Sequence, residues 1–81
     1  MSDGLTAGDM NWIVPVELVS SRPVTAKIRS TALPVPCVVA PGPDNTAEVR
    51  FADLQESITP GQSVVFYSDD VVVGGGTIRK A

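Results

Sequence analysis

The sequence predicts an all-β fold, a small closed antiparallel barrel of about six strands. Three observations point to it. Apolar and polar residues alternate over short runs. Turns rich in Pro, Gly and Asp separate those runs at short intervals. No stretch carries a helical period. A closed barrel is favoured over an open sheet because a chain this short with open, Val-rich edges would aggregate.

The chain has 81 residues, enough for one domain. Residues 1–11 read as a lead-in or linker, because Ser2, Asp3, Gly4, Gly8 and Asp9 break any period. Residues 12–81 are the barrel domain. Trp12, Ile13 and Val14 form the first apolar cluster, ended by Pro15. From Val24 the period is two: Val24, Ala26 and Ile28 face the core, and Thr25, Lys27 and Arg29 face out. The next strand runs from Val35 to Ala40, and Pro36 within it predicts an edge or a bulge. Pro41-Gly42-Pro43-Asp44-Asn45 is a turn. It leads to a hairpin partner with Ala47, Val49 and Phe51 alternating with Glu48 and Arg50.

Thr59-Pro60-Gly61-Gln62 predicts a type II turn with Pro60 and Gly61 at its centre. Ser63 to Tyr67 follows as a strand apolar on both faces, with Val64 and Phe66 inward. Asp69-Asp70 makes the next turn. Val71 to Val73 opens the last strand, Gly74-Gly75-Gly76 breaks it and Thr77-Ile78 resumes it. Three glycines there imply a bulge, a bend or the close approach of another backbone.

Composition narrows the function. Hydrophobic residues make up 43% and Val dominates them, while charged residues reach only 19%. Part of such a surface is expected to be covered by a neighbour. Nine acidic and six basic residues give a net charge of -3, which argues against strong autonomous binding to nucleic acid. There is no His, so the commonest general base and metal ligand is missing. The single Cys37 allows neither an internal disulfide nor a zinc site, and a reducing, cytoplasmic setting is expected. The opening MSDGLTAGDM does not read as a signal peptide, and no apolar run nears the length of a membrane span, so no membrane partner is expected.

No catalytic constellation emerges. The glycine run lacks the Lys-Ser/Thr of a phosphate loop, and a bend in the last strand is the better account. Cys37, in an apolar strand, reads as a buried structural thiol. Asp69 and Asp70 read as a solvated turn rather than an acid/base pair. Lys27 and Arg29 share one outward strand face, Arg50 is expected on an adjoining strand, and Arg79 with Lys80 closes the chain, a stripe that can touch a phosphate backbone. The competing account is a solubilising face, offset by Glu48, Asp53 and Glu56.

The ordered set of Lys27-Ile28-Arg29, the Cys37 strand, Val49-Arg50-Phe51, Thr59-Pro60-Gly61-Gln62, Val65-Phe66-Tyr67 and Gly74-Gly75-Gly76 resembles the C-terminal domain of tRNA-specific 2-thiouridylases. Asn11-Trp12-Ile13 is similar to that family's entry into the domain. The resemblance covers the chain from about Asn11 to Ile78. Ser30-Thr31-Ala32 depart from it, standing where the family commonly has an aromatic and a further basic residue.

The resemblance implies a barrel akin to domain II of elongation factor Tu, without catalytic residues or a cofactor of its own. ATP and a persulfide sulfur donor would serve the parent enzyme, a tRNA-uridine 2-sulfurtransferase, in an N-terminal domain not contained in this sequence. It implies weak contact with tRNA, shared with the preceding domains of the same polypeptide. Lys27, Arg29 and Arg50 are the candidate RNA contacts. The alternative is a translation-factor-like barrel that acts as a protein-docking module.

Overall fold

The computed structural model describes residues 2–15, 19, 23–28, 33–55 and 58–80. Six strands close into an antiparallel barrel. They are β1 (Ser2–Trp12), β2 (Val24–Lys27), β3 (Val35–Gly42), β4 (Thr46–Gln55), β5 (Ser63–Ser68) and β6 (Val71–Lys80). Around the barrel the order is β1-β4-β3-β2-β5-β6, and β6 returns to β1.

The inward set follows the period of two. Val24, Ala26 and Ile28 are buried from β2 and its end, Ala47, Val49 and Phe51 from β4, and Val64 and Phe66 from β5. Cys37 and Val39 complete the core from β3. Val19, in helical conformation between β1 and β2, is a core residue that the strand pattern does not assign.

The lead-in expected at residues 1–11 is corrected: Ser2–Trp12 is the strand that closes the barrel. It pairs with β4 through Leu5–Val49 and Ala7–Ala47, and with β6 through Ala7–Ile78 and Trp12–Gly74. Leu5 and Ala7 face inward, and then Asp9 takes a left-handed backbone with φ 50°. The register slips there, and Met10 becomes the next inward residue. A bulge of this kind reverses the phase of the alternation, which hides the strand from a periodicity argument.

The edge or bulge expected for the Pro36 strand is also corrected, since β3 pairs on both sides without a register shift. β3 lies between β2 and β4. Pro36 stands opposite Thr25 of β2, but the ladder to β4 stops at Cys37–Phe51. The missing N–H therefore falls where no β4 partner is paired.

The predicted turns form as their chemistry requires. At the β3–β4 hairpin, Asp44 and Asn45 have φ of 54° and 61°, and the Thr46 N–H donates to the Pro43 carbonyl at 3.2 Å. Two consecutive left-handed residues make the type I′ turn that suits a twisted hairpin. At Thr59–Gln62, Gly61 has φ 93° and the Gln62 N–H donates to the Thr59 carbonyl at 3.3 Å. This turn is tied to β6, since the Gly61 N–H donates to the Ile78 carbonyl at 2.7 Å. The glycine run is continuous strand within β6, and the register against β5 slips between Phe66 and Tyr67. The extra residue is Val73, turned into the core.

Candidate nucleic-acid interface

The three candidate cations are not assembled as one stripe. Lys27 closes β2, half-buried between the inward Ala26 and Ile28 and opposite Val65 of β5. Arg50 projects from β4 opposite Val38 of β3, and is exposed. Arg29 lies outside the described residues. The expectation that Lys27 and Arg50 occupy adjoining strands is corrected, because β3 stands between β2 and β4. At normal strand spacing and rise their backbones are roughly 15 Å apart.

Arg50 instead belongs to a groove over the β1–β4 ladder. Its volume is ≈ 320 Å³, and Asp3, Gly4, Thr6, Glu48, Arg50 and Lys80 line it. The Arg50 guanidinium is 3.9 Å from the Asp3 carboxylate, and the Thr6 hydroxyl donates to Glu48 at 3.1 Å. Asp3 rather than Glu48 is thus the acid beside Arg50. Two cations and two carboxylates leave the groove without net charge. Asp3 was out of reach of the sequence argument because its strand reads as a lead-in. The remaining C-terminal cation, Arg79, is paired with Asp9. Exposed pairs of this kind contribute at most about 1 kcal/mol each.

A second groove of ≈ 390 Å³ crosses the glycine run of β6. Ile13, Val65 and Val72 line it together with Asn11, Ser63 and Thr77. Sequence spacing places the glycines but gives no sign that β1 and β5 flank them.

Cys37 is buried, and burial pushes its thiol up to about 12 from 9.0. A thiol so placed is neutral near pH 7 and a poor nucleophile. Asp69 and Asp70 are exposed in the β5–β6 turn. Gly74, Gly75 and Gly76 are strand residues, each paired with β5, rather than a loop around a phosphate. Among the described residues no group of three His, Cys, Asp or Glu is arranged to hold a metal ion. No helix among them is long and apolar enough to cross a membrane.

The outer side of β3 is apolar. Pro36, Val38 and Ala40 all face out, and Val38 is 68% exposed. Leu33, just before the strand, and Leu54 of β4 are exposed as well.

Residues 2–78 match the family described as the aminomethyltransferase beta-barrel domain. Over 99% of its length the chain is 49% identical to a tRNA-specific 2-thiouridylase of Geotalea uraniireducens, covering 21% of that protein. It is 50% identical, again over 99%, to one of Caldicellulosiruptor saccharolyticus, covering 22%. Against one of Heliobacterium modesticaldum the identity is 52% over 94% of the chain and 20% of the relative. The chain spans about a fifth of the length of the curated relatives it matches.

Proposed function

The chain belongs to the aminomethyltransferase beta-barrel domain family, and from that membership we propose that it is the non-catalytic C-terminal barrel of a tRNA 2-thiouridylase. In this role it helps position tRNA while a separate domain carries out ATP-dependent thiolation of the wobble uridine. The observation that carries the proposal is the match across 99% of the chain to proteins named as tRNA-specific 2-thiouridylases. The neutral, buried Cys37 thiol supports a non-catalytic part, since sulfur transfer needs a reactive thiolate. A reducing cytoplasmic setting fits the lone cysteine.

Lys27 and Arg50 are proposed to meet phosphates separately, from different sides of β3. Arg29 is proposed with them from the sequence pattern alone. The test is tRNA binding by a full-length thiouridylase carrying this barrel, measured across a salt series. Lys27→Ala with Arg50→Ala should weaken binding and lower the salt slope by about one per lost contact, leaving ATP binding unchanged. Equal affinity of the double variant and the parent at every salt concentration overturns the tRNA-positioning role.

The apolar outer side of β3 supports a second, compatible role in protein docking. Pro36, Val38 and Ala40 present no charge, and this face suits packing against the preceding domains of the same polypeptide.

A further inference from the structure

Four residues stand opposite one another across four strands. Lys27 of β2 faces Val65 of β5, Val65 faces Gly75 of β6, and Gly75 faces Asn11 of β1. The row lies on the outside of the barrel, because its inward neighbours Ala26, Val64 and Phe66 are buried. Gly75 contributes no side chain, so the middle of the row is bare backbone. A Cβ there would come within 3.0 Å of the Val64 carbonyl oxygen, so the two backbones lie close together. Aliphatic side chains line it as well: Val65 of β5, Val72 of β6 and Ile13 just after β1. Ile13 is 64% exposed with no core contact to account for it. The Val73 bulge re-aims this part of β6, as bulges beside binding sites do.

Polar side chains line the groove beside the glycine backbone. Asn11 supplies an amide and Ser63 and Thr77 supply hydroxyls. Asp9 is the one acid among the lining residues, and Arg79 neutralises it. Lys27 lies two strands from Gly75, roughly 10 Å at normal strand spacing. It has no acidic partner among the described residues.

Glycine backbone without side chains, flanked by aliphatic residues, suits a planar ring. The amide of Asn11 and the hydroxyls of Ser63 and Thr77 suit the donors and acceptors on that ring's edge. Lys27, without an acidic partner among the described residues, suits an anion attached to the ring. A docked aliphatic side chain would use the aliphatic residues but neither the amide nor the cation. We propose that the groove over Gly75 holds one unstacked nucleotide of an RNA strand, its base against the glycine backbone and its phosphate toward Lys27. The proposal rests on the tRNA-positioning role and adds to it the place and the part of the RNA that is held. Single-stranded recognition of this kind combines base contact with backbone charge.

The test is a titration of the isotope-labelled chain with hexauridylate and with uridine, followed through backbone amide shifts. Both ligands should move the Gly74, Gly75 and Gly76 amides. Ile13→Ser, at an exposed position, should weaken both by about five-fold while leaving the remaining spectrum folded. Gly75→Ala should do the same by adding a side chain to the bare backbone. Lys27→Gln should weaken hexauridylate and leave uridine unaffected. No shift at the glycine amides, or hexauridylate shifts confined to the Arg50–Lys80 groove, overturns the proposal. In the full-length enzyme without RNA, strong exchange protection of these amides by neighbouring polypeptide would make the groove a domain contact and also overturn it. If Ile13→Ser leaves tRNA affinity unchanged there but Lys27→Ala with Arg50→Ala lowers it, the groove fails and the positioning role stands. If neither change matters, both fail.

Discussion

The indole of Trp12 stacks on the ring of Phe66 across a glycine, with centroids 6.1 Å apart and planes 21° from parallel. Trp12 is on β1 and Phe66 on β5, and β6 runs between them. Gly74 is opposite both residues in the register. A Cβ at Gly74 would lie 2.6 Å from Trp12 Cε3, so the stack exists because that position has no side chain. Gly74→Ala should push the indole off Phe66, shifting Trp12 fluorescence to the red and lowering stability by about 2 kcal/mol or more. A urea midpoint that does not fall although the emission shifts would show that the ring pair contributes nothing.

Cys37 links stability to alkaline pH. Burial raises its folded value to about 12 from 9.0, so the folded state holds the proton more tightly than the unfolded chain does. The favourable contribution is fully present below pH 9. It declines as pH rises toward 12, because the unfolded thiol ionises first. The expected slope in that window is about −1.4 kcal/mol per pH unit at most. Cys37→Ala should flatten it in denaturant titrations at stepped pH. Aromatic disulfide reagents should modify Cys37 only at the rate of unfolding.

The β3–β4 hairpin holds two left-handed residues, Asp44 and Asn45. Glycine populates that backbone region at no steric cost, and Asp-Gly is a preferred type I′ pair. Asn45→Gly should leave the melting temperature equal or slightly higher. Asn45→Val should lower stability by about 1 kcal/mol or more, since a β-branched residue resists positive φ. Thermal denaturation of the three chains side by side decides the matter.

Val38 separates intrinsic stability from coverage of the β3 face. It points outward and is largely exposed, so Val38→Thr should change the stability of this chain by less than about 0.5 kcal/mol. In a full-length enzyme, Val38→Asp should loosen the barrel from its neighbour, seen as faster proteolysis between the two. Equal proteolysis in both proteins would leave the apolar face without a docking role.

Legibility from sequence followed the phase of the strands. Val24, Ala26 and Ile28, and again Ala47, Val49 and Phe51, alternate without interruption and are inward as the period requires. The turns carry their own chemistry in Pro60-Gly61 and Asp44-Asn45. β1 was hidden because Asp9 reverses its phase midway, and Gly4 and Gly8 look like linker. The candidate site was legible as residues but not as an arrangement. A period of two says that Lys27 and Arg50 face out, yet it cannot say that β2 takes β5 rather than β4 as its second neighbour. For the same reason Asp3 beside Arg50 was unreadable, since the two are 47 residues apart in the chain and meet only through the β1–β4 pairing, with Gly4 and Arg50 in register.

The position of β1 also sets an order of events during synthesis. Of the six barrel strands it is made first, yet both of its partners, β4 and β6, come later, and β6 comes last. Until then the N–H and C=O groups on its β6 side have no ladder to join, and Leu5, Ala7 and Met10 have no closed interior to enter. Closure therefore waits for the release of the final strand. A chain whose first and last segments must find each other folds slowly for its size, on the millisecond-to-second scale of topologies dominated by distant contacts. Meanwhile an unpaired Ser2–Trp12 strand is an open edge to which a chaperone or a second nascent copy can bind.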